Sequence, residues 1–329
     1  MTTCMMGFSH SYTLMLALRF FSGTASAFIF VSASSIVLDQ LAAAGKTNEA
    51  GHFYSGVGLG ILLSALLIPG FNKLFTWEGT WIVLSVLSGI LTVFAWLWIK
   101  DSPNPQSIKE NRTAPSHAHE QTVPTQGPSR KWLPWLIAAY GLEGLGYIVT
   151  GTFMVSIAER TPSFGIEPAI VWMVVGLGAI PSCIVWSTLA QKRGFVKSLV
   201  VSMILQSIGI ALPVFRSSPS GFIVSALLFG ATFMGITTLA TTLARQMSPS
   251  NSSRTIGYLT AVYAAGQMAG PAIAGFLLSH TQSFHSALLG AAGVVFIGGM
   301  LLVSGVRFDR TPRPSGGPPT FESNGKAAG

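Results

Sequence analysis

One carboxylate, Glu143, stands near the middle of an apolar stretch running from 132 to 157. A carboxylate at that depth costs about 2.5–3.5 kcal/mol on insertion scales, so its presence points to function. Desolvation disfavours the charged form of an acid, a setting that suits a group taking up and releasing a proton. The plainer alternative is a protonated acid hydrogen-bonded to neighbouring backbone. On a helix of about 3.6 residues per turn, Tyr140, Glu143, Tyr147 and Thr150 share one face. At a rise of about 1.5 Å per residue, Glu143 lies roughly 16 Å from the inner end, near mid-membrane.

Arg19 is the second charged residue inside an apolar stretch. It lies about 10 Å below the outer end of its segment. It either snorkels outward or faces a cavity and attracts an anion. Direct pairing with Glu143 would have to bridge a depth gap of roughly 12 Å. Ser22 and Ser26 follow Arg19 on one face, and Thr238 lies in a threonine-rich segment with Thr237, Thr241 and Thr242. Most intramembrane hydroxyls bond their own backbone; these three are nonetheless candidates to line a cavity. No Ser/His/Asp or paired His/Glu arrangement sits at membrane depth, so an intramembrane enzyme has little support. His117 and His119, in a polar segment, suggest at most weak metal binding. Nothing in the sequence calls for a cofactor.

The elements that must hold these residues are membrane helices. Half the residues are hydrophobic and 9% are charged, against about 25% charged in soluble domains. Apolar runs of 18 or more residues mark spanning helices, and nine are expected: 12–38, 52–68, 77–99, 132–157, 169–189, 198–215, 221–244, 256–279 and 287–306. The fold class is therefore all-α, a polytopic membrane bundle. The net charge of +8 sits in the connections, where membrane topology explains it better than nucleic acid does. With the start of the chain outside, 15 Lys and Arg fall on the inner side and three on the outer. That asymmetry places the N-terminus outside and the C-terminus in the cytoplasm. Trp77, Trp96, Trp98, Trp132, Trp135 and Trp186 read as an aromatic belt near helix ends. Cys4 and Cys183 make no disulfide framework, and Cys183 reads as packing.

A proline-rich polar stretch, 100–131, reads as a flexible cytoplasmic linker between 1–99, with three helices, and 132–306, with six. The tail, 307–329, is rich in Pro, Gly and Ser and reads as disordered. The two halves look related. A shift of 207 residues lays Gly23 on Gly230 and Ile29 on Ile236; a shift of 206 lays Gly51 on Gly257 and Gly60 on Gly266. Parallel six-helix repeats are the plan of the major facilitator superfamily, and on that plan the chain holds helices four to twelve. Residues 1–11 also lack the Lys or Arg of a signal peptide's n-region.

Gly56, Gly60, Gly266, Gly270 and Gly275 lie in apolar helices, where small residues spaced about one turn apart allow close helix packing. Pro271 adds a kink whose freed carbonyl must be satisfied by neighbours. Gly56-Val57-Gly58-Leu59-Gly60 lacks the strand-turn-helix setting of a nucleotide fingerprint.

Several of these stretches resemble a known family. Leu18-Arg19-Phe20-Phe21-Ser22-Gly23 resembles the fourth-helix pattern of the superfamily, and Gly266 to Gly275 resembles its Gly-Pro-Gly packing motif. More narrowly, Arg19 to Asp39, Tyr54 to Ile61 and Tyr140 to Phe153 resemble the YbfB/YjiJ-type bacterial transporters. The resemblance implies a multi-pass protein of the bacterial inner membrane. It implies alternating access around a cavity lined by the first, fourth and seventh helices of this chain. The expected partners are lipid, protons and a small solute, anionic if Arg19 faces inward. Two departures stand out: the loop carrying the superfamily's Gly-x3-Asp-Arg gate is absent, and its repeat-mate reads Ala190-Gln191-Lys192-Arg193-Gly194. The alternative expectation is a shortened membrane protein that transports nothing, whether fragment, subunit or receptor. Fold resemblance does not supply a substrate.

Overall fold

The computed structural model describes residues 2–98, 130–161, 165 and 167–309. In lipid every backbone polar group must be satisfied within the segment, and among the described residues the chain answers with helices alone. A short α1 (Thr2–Met6) precedes α2 (Tyr12–Ala43), α3 (Ala50–Leu74) and α4 (Trp77–Trp98). Beyond 129 come α5 (Leu133–Glu159), α6 (Ala169–Arg193), α7 (Phe195–Phe215), α8 (Pro219–Met247), α9 (Ser252–Thr281) and α10 (Phe284–Val303). All but α1 are long and apolar enough to cross a membrane. Each expected segment falls on one of them, with ends displaced by a few residues; α3 runs on to Leu74, through Pro69.

The core lies in the second half. Helix α8 is buried along most of its length and packs against α6 and α7. Helix α5 is held between α9 and α10, and α10 also packs on α7. Helix α3 lies along α6, whereas α2 and α4 keep most of their apolar surface exposed.

Glycines set these approaches. A Cβ on Gly58 would stand 2.6 Å from the Ile180 backbone nitrogen, and one on Gly176 2.6 Å from that of Leu62. Gly51 faces the Cys183 carbonyl in the same seam. The sequence pointed to Gly56 and Gly60 for this role, but a Cβ on either meets nothing within 4 Å. Three alternate glycines span both faces of one turn, and the position of α6 selects the middle one. Gly266 and Gly270 lie against Leu145 and its neighbours on α5, while a Cβ at Gly275 would find open space.

Two tryptophans depart from the belt. Trp186 is buried between α6 and α8, donating its indole N–H to the Ala231 carbonyl at 2.7 Å and lying on Gly235. Trp132 is buried against Gly305. Both rings fill space left by a glycine, a packing demand that hydropathy does not display. Trp77, Trp96, Trp98 and Trp135 are exposed.

Order also continues past 306. Val306–Phe308 form a 3-10 turn, and Asp309 accepts hydrogen bonds from the backbone N–H groups of Val196 (3.2 Å) and Lys197 (2.7 Å). Asp309 thereby satisfies free donors at the start of α7. Burial pushes its carboxyl above the usual range, while those N–H groups draw it down. The remainder of the expected tail, 310–329, and the expected linker with His117 and His119 lie outside the described residues.

Candidate functional site

The glycines of Tyr140-Gly141-Leu142-Glu143-Gly144-Leu145-Gly146-Tyr147 determine what surrounds the acid. Gly144 lets α9 approach until a Cβ there would lie 2.5 Å from the Tyr263 carbonyl. Gly146 does the same for α10, with the Ala291 carbonyl at 2.6 Å. Held on two sides, α5 turns Glu143 towards α7. There Gln206 Nε2 donates to Glu143 Oε1 at 3.1 Å. Glu143 and Gln206 are both fully buried. Glu143 Oε2 and Gln206 Oε1 have no hydrogen-bond partner. A proton on the carboxyl would add a donor to a group that otherwise only accepts.

Above the acid lies an aromatic stack. Tyr140 and Tyr263 stack at 4.3 Å with 14° between their planes. Tyr263 continues to Tyr147 at 5.4 Å, and Tyr147 to Phe233 at 6.0 Å. Phe229 lies 5.3 Å from Phe233 and closes the series. The Tyr140 hydroxyl donates to Thr237 Oγ1 at 3.2 Å, and Gln267 Nε2 donates to the Tyr147 hydroxyl. The accessible edge is formed by Tyr147, Tyr263 and Gln267, each half-buried.

The structure thus brings Tyr140, Glu143 and Tyr147 together. Thr150 is buried one turn further on, its hydroxyl without a partner. Thr238 is buried and donates to the Met234 carbonyl at 2.8 Å, a backbone bond within its own helix. Arg19 is placed elsewhere. Its guanidinium lies over the Trp81 ring, 4.8 Å from the centroid, beside a cavity of about 110 Å³ with Met6, Met15 and Trp77. Ser22 is half-buried and Ser26 exposed on the same helix, apart from the cluster. A larger cavity of about 500 Å³ opens where α5, α9 and α10 end, lined by residues such as Arg160, Ser279 and His285. Glu143 belongs to neither cavity.

Sequence reasoning missed Gln206, Tyr263 and Gln267. Gln206 comes from α7, and Tyr263 and Gln267 from one turn of α9, and no spacing links them to 143. It also missed Asp39. This residue accepts from Arg245 Nε at 2.9 Å and from Ser252 Oγ at 2.7 Å, tying the end of α2 to the end of α8 and the start of α9. Asp39 is half-exposed and Arg245 largely covered, so the tie is worth about 1 kcal/mol. Asp39→Ala and Arg245→Ala should each lower the thermal stability of the detergent-solubilised chain by that amount. The double variant should lose little more than either; fully additive losses would show that the pair does not couple.

Comparison with known proteins follows the same lines. The family model described as "Uncharacterised MFS-type transporter YbfB" matches residues 1–303. The chain is also similar to the "Uncharacterized MFS-type transporter YceJ" of Bacillus subtilis (strain 168). The two are 27% identical over 317 residues, which is 92% of this chain and 75% of that protein.

Proposed function

Since the chain belongs to the YbfB-type family of major facilitator superfamily transporters, a multi-pass membrane protein that carries a small solute, we propose that it works by proton-coupled alternating access. In this reading the helices of 1–99 and those of 132–306 rock against each other about a site near mid-membrane. The seam of α3 on α6 serves as the pivot. The tie from Asp39 to Arg245 and Ser252 closes the cytoplasmic side and must open in each cycle. The chain sits in the bacterial inner membrane with its start outside and its end in the cytoplasm, as the distribution of Lys and Arg favours.

The observation that carries the reading is Glu143: a buried carboxyl at mid-span, with one oxygen bonded to Gln206 and the other without a partner. Ionisable groups in such positions mark proton relays and ion pathways. Glu143 takes a proton from one side and releases it to the other as the solute crosses. Tyr140, Tyr147 and Thr150 contribute the polar edge of the route. Arg19, stacked on Trp81, contributes no positive charge to it, so an anionic solute loses the support that an inward-facing Arg19 would have lent.

The test is uptake in proteoliposomes holding the full chain, across a panel of amino acids, sugars, nucleosides and organic cations. An imposed pH gradient should raise accumulation of at least one solute, and a protonophore should abolish the rise. If no solute in the panel responds to the gradient, proton coupling is wrong.

A further inference from the structure

The cavity of about 500 Å³ at the ends of α5, α9 and α10 changes character with depth. Its apolar lining, Ile157, Gly275 and Leu278, lies within α5 and α9. Its polar lining gathers at the helix ends. By helical rise Arg160 stands about 4.5 Å beyond Ile157, and Gln282 about 10 Å beyond Gly275. The charge there has one sign. The Arg160 guanidinium lies 5.9 Å from the centroid of the Phe284 ring. No carboxylate is among the lining residues, and among the described residues Arg160 makes no ion pair. His285 adds a second donor, because an imidazole keeps at least one ring N–H in either protonation state. The hydroxyls spend their protons within their own helices, Thr161 on the Ile157 carbonyl at 2.7 Å and Ser279 on that of Phe276 at 2.8 Å. Ser283 Oγ already takes the His285 backbone N–H at 3.2 Å, so the pull on an anion comes from the side chains of Arg160 and His285 rather than from a bare helix start. Arg160 lies about 26 Å along α5 from Glu143, well outside the cluster assigned to transport.

We propose that this cavity is a lipid site, holding the phosphate of an anionic phospholipid between Arg160 and His285 and the start of an acyl chain over Gly275 and Leu278. Three spanning helices end around it, at the level where hydrocarbon gives way to headgroups. A guanidinium offers paired N–H groups that match phosphate oxygens. A phosphate ester is common to lipid headgroups and small soluble molecules, and the polar-over-apolar order of the lining favours the source that carries a chain. A zwitterionic headgroup would bring its ammonium beside Arg160 and find no carboxylate to receive it. A lipid seated here touches α5, α9 and α10 together. The site stands whether or not Glu143 carries protons.

The experiment titrates the full chain, delipidated in detergent, with dioctanoyl phosphatidylglycerol, dioctanoyl phosphatidylcholine and glycerol 3-phosphate, and counts bound molecules by native mass spectrometry. Phosphatidylglycerol should fill one saturable site more tightly than the other two. A basic residue near a membrane surface adds about fivefold to the affinity for anionic lipid, so Arg160→Gln should weaken binding by about that factor. Gly275→Leu should weaken it as well, by filling the path of the chain. The fold should tolerate that change, because a Cβ at 275 meets nothing within 4 Å. Arg216→Gln removes one charge from the connection between α7 and α8 and should leave the affinity unchanged. Equal losses in Arg160→Gln and Arg216→Gln would reduce the effect to general surface charge and overturn the proposal. Undiminished binding in Gly275→Leu would take the chain out of the cavity and overturn it too. So would equal affinity for phosphatidylcholine, the absence of any saturable site, or equal affinity for glycerol 3-phosphate, which would make the cavity a site for a free phosphate ester.

Discussion

Gly230→Leu is expected to prevent the six-helix bundle from closing. At this position α6 and α8 touch backbone to backbone: a Cβ on Gly230 would lie 2.9 Å from the Val175 Cα. The facing Gly178 leaves as little room, with the Leu227 carbonyl and the Ala231 nitrogen each 3.0 Å from its Cβ position. Helices in lipid have no hydrophobic drive towards one another and associate through van der Waals packing of this kind. Overpacking a core costs about 1–3 kcal/mol where side chains can shift. Here the obstacles are main-chain atoms, so the helices themselves must separate and the cost belongs at or above the top of that range. Monodisperse protein recovered from detergent extracts should fall to a small fraction of normal on size-exclusion chromatography. Gly56→Leu serves as the control, because a Cβ there meets nothing within 4 Å. Equal recovery of the two variants would show that α6 and α8 do not meet as described.

Glu143→Gln is expected to leave the fold intact and abolish solute-driven proton movement. Glutamine matches the shape of the acid, and its amide can still meet Gln206. Interhelical hydrogen bonds within membranes are worth about 0.6 kcal/mol on average, so thermal stability should change by less than about 1 kcal/mol. The substituted side chain cannot carry a proton. In proteoliposomes loaded with a pH-sensitive dye, the proton flux that accompanies solute should drop to background. Proton flux unchanged in a well-folded Glu143→Gln protein would remove Glu143 from the coupling. Gln206→Leu makes a graded comparison, since it removes a partner and leaves the titrating group in place. Its flux should fall without vanishing.

Most of the architecture was legible because the membrane imposes it. Length and apolarity located the nine helices that, among the described residues, are long and apolar enough to span, and the cost of a charge in hydrocarbon singled out Glu143. What surrounds Glu143 was not legible. Gln206 has no periodic relation to position 143, and it reaches the acid only because Gly144 and Gly146 let two other helices rotate α5 towards α7. Arg19 posed the opposite difficulty. Depth alone left both an inward and an outward orientation open, and the ring beneath its guanidinium, Trp81, comes from a different helix that no spacing on α2 points to. The glycine seam on α3 likewise depends on which side faces α6, so Gly58 rather than its neighbours makes the contact.

The tie between Asp39 and Arg245 joins residues 206 apart. Because Asp39 also accepts from Ser252, one carboxylate fixes the connection between α8 and α9 against α2, and a change at this single side chain should loosen three helix ends together.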